Sequence, residues 1–170
     1  MNQMSILEDK VHKEYKLLTE FLVEHKILVS TMESCTGGLI ASLITDTSGA
    51  SEIMKGAFVT YCNEAKVLQG VPENIISEYG VYSLETASKM AEACSRTYSS
   101  EIGIGVTGTL GQADPNNADS IPGEVYISIY LAKDKTYAHK LEINNAVNRY
   151  EAKLMVADEI YKALEMIYMK

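Results

Sequence analysis

The segment best suited to chemistry is residues 32–38, MESCTGG, which lies between a predicted strand and a predicted helix. A hydroxyl at Ser34 would project from the carboxyl end of the strand, where open α/β sheets bind their ligands. The N-terminus of the following helix offers free N–H donors that suit a phosphate or an oxyanion, and Gly37 and Gly38 allow close backbone approach. The residues alone leave two interpretations open: a ligand site, or a helix capped by Ser34 or Thr36 with tight glycine packing.

A second segment with chemical potential is residues 60–66, TYCNEAK. If Asn63 caps a short helix, Lys66 falls in the first turn, where the positive end of the helix dipole lowers the pKa of an ammonium group. Partial burial would lower that pKa further, and such a lysine could act as a general base for a serine hydroxyl. An exposed helix lysine is the commoner case for any single lysine, so the catalytic interpretation depends on Ser34 as a partner.

Two further groups lie near these segments or could approach them. Arg149 and Lys153 stand one turn apart at the start of the last predicted helix, where they could contact a substrate phosphate or form a solvated face. Cys35 and Cys62 lie inside the two segments, but no histidine is near them in sequence to activate a thiol. We expect both cysteines to be small buried residues, not nucleophiles.

Several familiar motifs are excluded. Residues 103–108, GIGVTG, match GxGxxG, but these glycines lie inside a predicted strand and a polar loop follows, so a dinucleotide-binding turn is rejected. Glycines in a strand instead mark close approach by a helix or a ligand. Residues 32–38 are not a phosphate-binding P-loop, since no GKS or GKT follows. The three histidines are scattered without metal-ligand spacing, so no metal site is predicted.

The elements that must position these residues alternate between helix and strand. The predicted helices cover about residues 5–25, 39–45, a short segment from 63, a turn from 72, the residues after Ser83 and the C-terminal segment from about 150. The predicted strands are 27–32, 57–61, 102–106, 125–131 and 137–143, the last two forming a hairpin that turns at 133–135. This alternation predicts an α/β fold with helices on both faces of a sheet, and the late hairpin predicts that the sheet is mixed.

Composition limits the classes of partner and compartment. The chain has 170 residues, with 15 Lys and Arg against 23 Asp and Glu and a net charge of -8. This length predicts a single domain over residues 1–170, and the acidic balance argues against nucleic acid and membrane surfaces as partners. It leaves room for a small anionic substrate. No apolar run reaches the ~20 residues of a membrane span, no signal peptide is evident, and three widely spaced cysteines indicate reduced thiols, so we expect a cytoplasmic protein.

The two segments together closely resemble the signature of the CinA C-terminal domain family, the PncC-type nicotinamide-nucleotide amidases. The resemblance rests on residues 33–38, ESCTGG, and residues 60–66, TYCNEAK, in that order. Further matching pieces are GVYS at 80–83, VTG at 106–108 and GEVYI at 123–127. The similarity spans roughly residues 18–163. Family members often carry an N-terminal domain as well. These 170 residues leave no room for one, so the chain is expected to be a stand-alone form.

The resemblance implies a three-layer α/β/α fold with a mixed, mostly parallel sheet. It also implies hydrolysis of nicotinamide mononucleotide to nicotinate mononucleotide and ammonia, in pyridine nucleotide recycling, without a metal or organic cofactor. The family's Ser–Lys pair falls on Ser34 and Lys66, and family analogy predicts a homodimer. The positions implied to bind substrate are Glu33, Thr36, Gly37, Gly38, Tyr61, Asn63, Thr107, Gly108 and Arg149.

The chain departs from the family pattern in two places. Cys62 stands where the family usually has serine. The family usually follows VTG with a loop rich in glycine and proline, often IAGPGG, whereas residues 109–117 here read TLGQADPNN. The altered loop motivates an alternative hypothesis, a weakly active or non-catalytic nucleotide-binding or regulatory module on the same fold. A third hypothesis, an amidase for a related pyridine or nucleoside amide, differs only in substrate.

Overall fold

The protein has a central sheet with helices on both sides. The computed structural model describes residues 3–133 and 135–169. The helices are α1 (Gln3–His25), α2 (Leu39–Thr45), α3 (Asn63–Leu68), α4 (Glu73–Tyr79), α5 (Leu84–Tyr98) and α6 (Arg149–Leu164), with a 3-10 turn at Ala50–Glu52 and a π-helical turn at Glu165–Met169. The strands are β1 (Val29–Glu33), β2 (Met54–Val59), β3 (Ile102–Gly108), β4 (Glu124–Leu131) and β5 (Lys135–Glu142). Within the described ranges, no helix is long and apolar enough to cross a membrane.

The sheet has five strands in the order β2-β1-β3-β4-β5. Strand β1 runs parallel to both β2 and β3, while β4 is antiparallel to β3 and β5 is antiparallel to β4. Only β4 therefore points against the other strands, and the predicted mixed, mostly parallel sheet is confirmed. The hairpin of β4 and β5 is also confirmed, although Asp134 in its predicted turn lies outside the described residues.

Helices cover the two faces of the sheet. Helix α5 packs across one face, where Met90 and Cys94 meet Met32 of β1 in a small apolar cluster. The main core lies on the other face, between the strands and helices α1, α2 and α6. Ile104 of β3 and Leu154 of α6 are fully buried in it. This arrangement confirms the three-layer α/β/α fold.

The glycines of β3 explain how α5 lies so close to the sheet. A Cβ atom on Gly103 would lie 2.0 Å from the carbonyl oxygen of Ala91, and one on Gly105 would lie 2.2 Å from that of Ala87. Both acceptors belong to the backbone of α5, which cannot move away as a flexible side chain can. The glycines thus mark close approach by a helix, as strand glycines are expected to do.

Replacing Gly105 by alanine is expected to lower the free energy of unfolding by about 3 kcal/mol, because the new methyl group would force α5 away from β3. Urea unfolding followed by circular dichroism measures the loss. A matched control is Ser128→Ala on β4, opposite Gly105, which removes an atom instead of adding one and should cost about 1 kcal/mol or less. Equal losses in both variants would contradict close packing at Gly105.

The parallel strands bring the chemically promising segments together. Since β1, β2 and β3 run in the same direction, their carboxyl ends meet at one edge of the sheet. Residues 34–38 follow β1, residues 60–63 follow β2, and residues 109–123 follow β3 at that edge. The fold therefore places both predicted motif segments and the altered loop around one site, as expected for an open α/β sheet.

Candidate active site

Ser34 and Lys66 meet at this edge of the sheet. The backbone N–H of Ser34 donates to the carbonyl oxygen of Val106 at 2.9 Å, which fixes the residue between β1 and β3. The Lys66 Nζ donates to the Ser34 Oγ at 3.3 Å and to the carbonyl oxygen of Thr60 at 2.9 Å. A hydroxyl and an amine that are 32 residues apart in sequence are thus in hydrogen-bond contact, which is the geometry a nucleophile and its base require.

The lysine of this pair is buried. Lys66 is 1% exposed and Ser34 is 5% exposed. Burial lowers the pKa of Lys66 to about 8. The charges of nearby groups, including Asp114, act in the other direction and raise this pKa by a smaller amount. A substantial fraction of Lys66 is therefore neutral near physiological pH, and a neutral amine can accept a proton from Ser34.

The structure corrects the predicted role of Asn63 at the start of α3. The N-cap is Cys62, without a side-chain hydrogen bond, and Asn63 is the first helical residue. The Asn63 side-chain amide instead donates to the Asn117 Oδ1 at 2.8 Å, across to the loop after β3. Lys66 lies in the last turn of this short helix, so desolvation, and not the positive end of the dipole, explains its lowered pKa.

Glu33 closes the N-terminus of α2 with its own carboxylate. One oxygen accepts the N–H groups of Gly38 and Ile40 at 3.0 and 3.1 Å, and the other accepts the N–H of Ala41 at 3.0 Å and the hydroxyl of Thr31 at 3.1 Å. The side chain is fully buried. The prediction that Glu33 contacts substrate is therefore wrong, since its carboxylate is saturated by the chain and holds the turn that carries Ser34.

The turn between β1 and α2 has fewer free N–H donors for an anion than predicted. The Gly37 N–H donates to the carbonyl oxygen of Ser34 at 3.0 Å, and the Gly38 N–H is taken by Glu33. Both glycines have positive φ, 63° and 92°, a conformation that other residues rarely adopt. Within the described chain, the backbone N–H groups of Cys35 and Thr36 have no acceptor, so they are the donors of this turn that remain for an oxyanion, and Cys35 lines the cleft. The Thr36 hydroxyl is buried and likewise lacks a partner there.

Replacing Glu33 by glutamine is expected to lower the free energy of unfolding by about 2–4 kcal/mol. The amide would turn NH₂ donors toward backbone N–H groups that need an acceptor, and these groups are buried. Urea unfolding measures the loss. Glu73→Gln, in the exposed first turn of α4, is the matched control and should change stability by about 0.5 kcal/mol or less. An equal effect of the two replacements would contradict the capping role of Glu33.

A cleft of about 570 Å³ opens above Ser34, a volume typical of small-molecule sites. Its lining is mostly polar and comprises Ser34, Cys35, Tyr61, Cys62, Asn63, Glu64, Tyr82, Gly108, Thr109, Gln112, Asp114, Asn116, Asn117 and Arg149. Five of the predicted site residues are in this set: Ser34, Tyr61, Asn63, Gly108 and Arg149. The predicted residues outside it are Glu33, Thr36, Gly37, Gly38, Thr107 and, beneath Ser34, Lys66.

Thr107 does not reach the cleft. It is fully buried, and its hydroxyl donates to the carbonyl oxygen of Val81 at 3.0 Å. This bond ties β3 to the segment that precedes α5. The predicted contact between Thr107 and substrate is therefore wrong, because the hydroxyl is occupied and shielded.

Arg149 reaches over the cleft from the start of α6. Its guanidinium donates to the Tyr61 hydroxyl at 2.9 Å and to the carbonyl oxygen of Leu110. The Lys153 Nζ lies 3.2 Å from the place that a Cβ on Gly37 would occupy, beside the Ser34 turn. Of the two interpretations left open for the start of this helix, the structure favours cations that face the site.

The loop after β3 contributes residues that the motifs did not reveal. The Asp114 carboxylate accepts the Tyr82 hydroxyl at 2.6 Å, the Asn117 side-chain amide at 2.6 Å and the Asn116 backbone N–H at 2.9 Å. These hydrogen bonds, led by that from Tyr82, lower the pKa of Asp114 to about 2. The only sequence signal for these residues is a polar loop placed directly after a strand of the sheet.

Thiol and metal chemistry receive little support from the arrangement. Burial raises the pKa of Cys35 to about 12, so its thiol carries no thiolate at neutral pH. Cys62 is exposed at the cleft, contrary to the expectation that it is buried. Among the residues that the structure describes, no group of three or more His, Cys, Asp or Glu side chains could hold a metal ion.

Comparison with known proteins identifies the family. The family model described as the CinA C-terminal domain matches residues 11–168. The chain belongs to the CinA C-terminal domain family. This match covers both motif segments, the loop after β3 and α6, so the residues around the cleft all lie within the family's domain.

Curated relatives of this CinA domain are longer proteins. A CinA-like protein of Dictyoglomus turgidum is 33% identical over 135 residues, which are 79% of this chain and 32% of that protein. A putative competence-damage inducible protein of Limosilactobacillus reuteri is 36% identical over 155 residues, 90% of this chain and 36% of that protein. The chain thus spans about a third of the length of these relatives.

Solved structures share the fold of this CinA domain. The competence/damage inducible protein CihA of Agrobacterium tumefaciens has a TM-score of 0.81 and 27% identity, with 91% of this chain and 93% of that chain covered. The competence damage-inducible protein A of Klebsiella pneumoniae has a TM-score of 0.83 at 18% identity, with 94% and 99% covered, and this likeness concerns the fold alone.

Proposed function

We propose that this CinA domain is a nicotinamide-nucleotide amidase that hydrolyses nicotinamide mononucleotide to nicotinate mononucleotide and ammonia. The observation that carries the proposal is the hydrogen bond of 3.3 Å between the Lys66 Nζ and the Ser34 Oγ beneath a cleft of small-molecule size. The choice of substrate rests on the resemblance of residues 33–38 and 60–66 to the family signature. The reaction as proposed uses no metal or organic cofactor.

In the proposed mechanism, the Ser34 Oγ attacks the carboxamide carbon while neutral Lys66 accepts the hydroxyl proton. The carbonyl oxygen becomes an oxyanion, for which the Cys35 and Thr36 N–H groups are the available donors of the turn. The tetrahedral intermediate collapses when the Lys66 ammonium gives its proton to the departing ammonia, leaving an ester on Ser34. Water then attacks the ester with Lys66 again accepting a proton, and nicotinate mononucleotide leaves as Ser34 recovers its hydrogen.

The remaining cleft residues are proposed to bind and orient the nucleotide. The two hydrogen bonds of Arg149 go to neutral acceptors, Tyr61 and Leu110, and a phosphate would offer a stronger, charge-assisted partner. Lys153 lies close enough to the Ser34 turn to add a second positive charge. Tyr61 and Asn63 line the cleft beside Ser34 and are assigned to the ring and ribose.

The rate of the proposed reaction is expected to depend on pH through Lys66. Because the base must be neutral, kcat/KM should rise about tenfold per pH unit below the Lys66 pKa of about 8 and level off above it. The measurement is ammonia release from nicotinamide mononucleotide between pH 6 and 9.5, with Ser34→Ala as the blank at each pH. A flat profile over that range would contradict the assignment of Lys66 as the base.

Ammonia release also separates the proposed function from the alternatives. Incubation of wild type with the mononucleotide should release ammonia well above the Ser34→Ala blank, and no release would refute the amidase. Calorimetric binding of the mononucleotide without turnover would instead favour a regulatory module, for which the altered loop after Gly108 is the motivation. A panel of related pyridine and nucleoside amides would distinguish an amidase with another substrate.

The wider setting follows from the family resemblance and the charge of the chain. We expect the enzyme to act in pyridine nucleotide recycling in the cytoplasm, as a homodimer. With a net charge of -8, neither nucleic acid nor a membrane surface is expected as a partner. Sedimentation equilibrium tests the homodimer, and a monomer across the micromolar range would contradict it.

A further inference from the structure

The wall of the cleft beside Ser34 carries negative charge that the motifs do not explain. Two carboxylates line the cleft, Asp114 from the loop after β3 and Glu64 from α3, and the guanidinium of Arg149 stands at the start of the same loop. Asp114 replaces part of the loop rich in glycine and proline that is usual in the family. A mononucleotide whose phosphate was its only charge would gain nothing from this wall.

The Asp114 carboxylate is held in one position. Its oxygens accept hydrogen bonds from Tyr82, Asn117 and Asn116 at 2.6–2.9 Å, and its backbone N–H donates to the Ser120 Oγ at 2.8 Å. The chain of contacts continues from Asn117 to Asn63 on α3. With a pKa of about 2, the carboxylate is ionised at every pH at which the protein would work. The cleft therefore contains a permanent, pre-positioned negative charge.

The charged side chains around Asp114 come from α3 and α6. Lys66 of α3 is close enough for the Asp114 charge to act on its amine. Glu64, also on α3, adds to the negative potential of the wall, whereas Arg149 of α6 opposes it near Leu110. When Lys66 is neutral, as a base must be, Asp114 and Glu64 make their wall of the cleft negative, while the cations of α6 lie elsewhere, Arg149 near Leu110 and Lys153 beside the Ser34 turn. Such a wall attracts a cationic group and does nothing for a neutral one.

We propose that Asp114 is a specificity-determining residue that selects amides whose ring is positively charged, such as N-substituted pyridinium carboxamides, over amides with a neutral ring. The inference rests on the proposed function and deepens it. A zwitterionic substrate fits the cleft, with its cationic ring toward Asp114 and its anionic end toward Arg149. A neutral-ring analogue of the same shape would lose the attraction to the carboxylate and gain nothing in return.

Binding to a catalytically silent protein tests the inference separately from turnover. Calorimetry compares nicotinamide mononucleotide with its dihydro form, which keeps the carboxamide, ribose and phosphate but has a neutral ring. In the Ser34→Ala variant, the pyridinium form should bind about tenfold more tightly, the scale expected of one charge pair in a partly exposed cleft. In Ser34→Ala with Asp114→Asn, the ratio of the two Kd values should fall to about 1–2.

Asp119→Asn is the matched control, because it removes one charge from the same loop without lining the cleft, and it should leave the ratio unchanged. A structural defect alone would weaken both ligands together and leave their ratio at about ten. If Asp114→Asn does not fold, the ratio in Ser34→Ala is measured from 20 mM to 500 mM salt, where it should fall toward 1 as the charges are screened. The inference is overturned if the Kd ratio changes neither with Asp114→Asn nor with salt, or if it is already near 1 in Ser34→Ala.

The two proposals fail in different ways. Wild type that releases no ammonia refutes the amidase, yet the Kd ratio still decides whether Asp114 selects a charged ring. Ammonia release with an unchanged Kd ratio in Asp114→Asn refutes the inference and leaves the amidase intact. Binding of neither nucleotide form refutes the selectivity.

Discussion

Replacing Ser34 by alanine is expected to reduce kcat for ammonia release by about 10⁴-fold or more, which is the scale of losing a nucleophile from a pair that acts as a unit. The Ser34 Oγ is the acceptor of the Lys66 amine and lines the cleft, so its removal leaves no group in position to form the ester. The backbone of the turn should be unaffected, since its hydrogen bonds to Val106 and Gly37 use main-chain atoms. The measurement is steady-state ammonia release with saturating mononucleotide.

Cys62→Ala is the matched control for Ser34→Ala. Its thiol also lines the cleft and is the alternative nucleophile that the motif segments offer. We expect this variant to stay within about tenfold of wild-type kcat, because the thiol is paired with the Glu64 carboxylate, whose pKa is lowered and which is too weak a base to deprotonate it. Activity retained in Ser34→Ala but lost in Cys62→Ala would reverse the assignment of the nucleophile.

Replacing Lys66 by methionine is expected to reduce kcat by about 10²- to 10⁴-fold, the usual contribution of a general base. Methionine has similar length and fills the buried space, but it cannot accept the proton of Ser34. The pH dependence seen in wild type below about pH 8 should disappear from the residual activity. Wild-type kcat in this variant would show that another group deprotonates Ser34.

Lys66→Met is expected to raise the free energy of unfolding although it lowers kcat. The folded-state pKa of Lys66 is about 8, below its ordinary value of 10.5, so the folded state binds the proton less readily than the unfolded chain. Below pH 8 both states are protonated and burial of the charge costs up to about 3 kcal/mol, and as pH rises from 8 to 10.5 the cost disappears. Lys66→Met should therefore have a higher free energy of unfolding than wild type at pH 7. The loss of the hydrogen bond to Thr60 reduces this gain by about 1 kcal/mol.

Urea unfolding at pH 7 and at pH 10 tests this expectation. The stability advantage of Lys66→Met should shrink or vanish at pH 10, where wild-type Lys66 is mostly neutral when folded. Loss of kcat together with a gain in stability would assign the activity loss to chemistry and not to damage of the fold. A variant that is less stable than wild type at both pH values would contradict the buried, costly amine.

Two adjacent side chains of the first motif segment have different roles in the fold. Glu33 and Ser34 are neighbours in sequence, yet the glutamate carboxylate caps α2 and the serine hydroxyl faces the cleft. The glutamate is thus a support for the nucleophile. Replacing Glu33 should affect stability and Ser34 position together, whereas replacing Ser34 should affect chemistry alone.

The sequence by itself determined the elements and the place where chemistry could occur. Alternating helices and strands predicted a sheet covered on both faces, and the strand segments 125–131 and 137–143 predicted the hairpin of β4 and β5. A helix was predicted after Ser83, and the Ser83 Oγ caps that helix by accepting the Thr86 N–H at 3.1 Å. Strand glycines at 103 and 105 predicted the close approach that α5 makes. These features depend on local periodicity and backbone freedom, which a single sequence records.

Only the tertiary structure decided what the side chains at the site do. Lys66 owes its lowered pKa to burial, and burial depends on the elements that pack over it and not on its own helix. Asn63 binds Asn117, a partner 54 residues away, instead of capping α3. Asp114 lies in a loop without a motif, and its role follows from Tyr82 and Asn117, which approach it only in the folded chain. Local sequence cannot encode these assignments, because each depends on desolvation or on a partner that folding alone brings within hydrogen-bond distance.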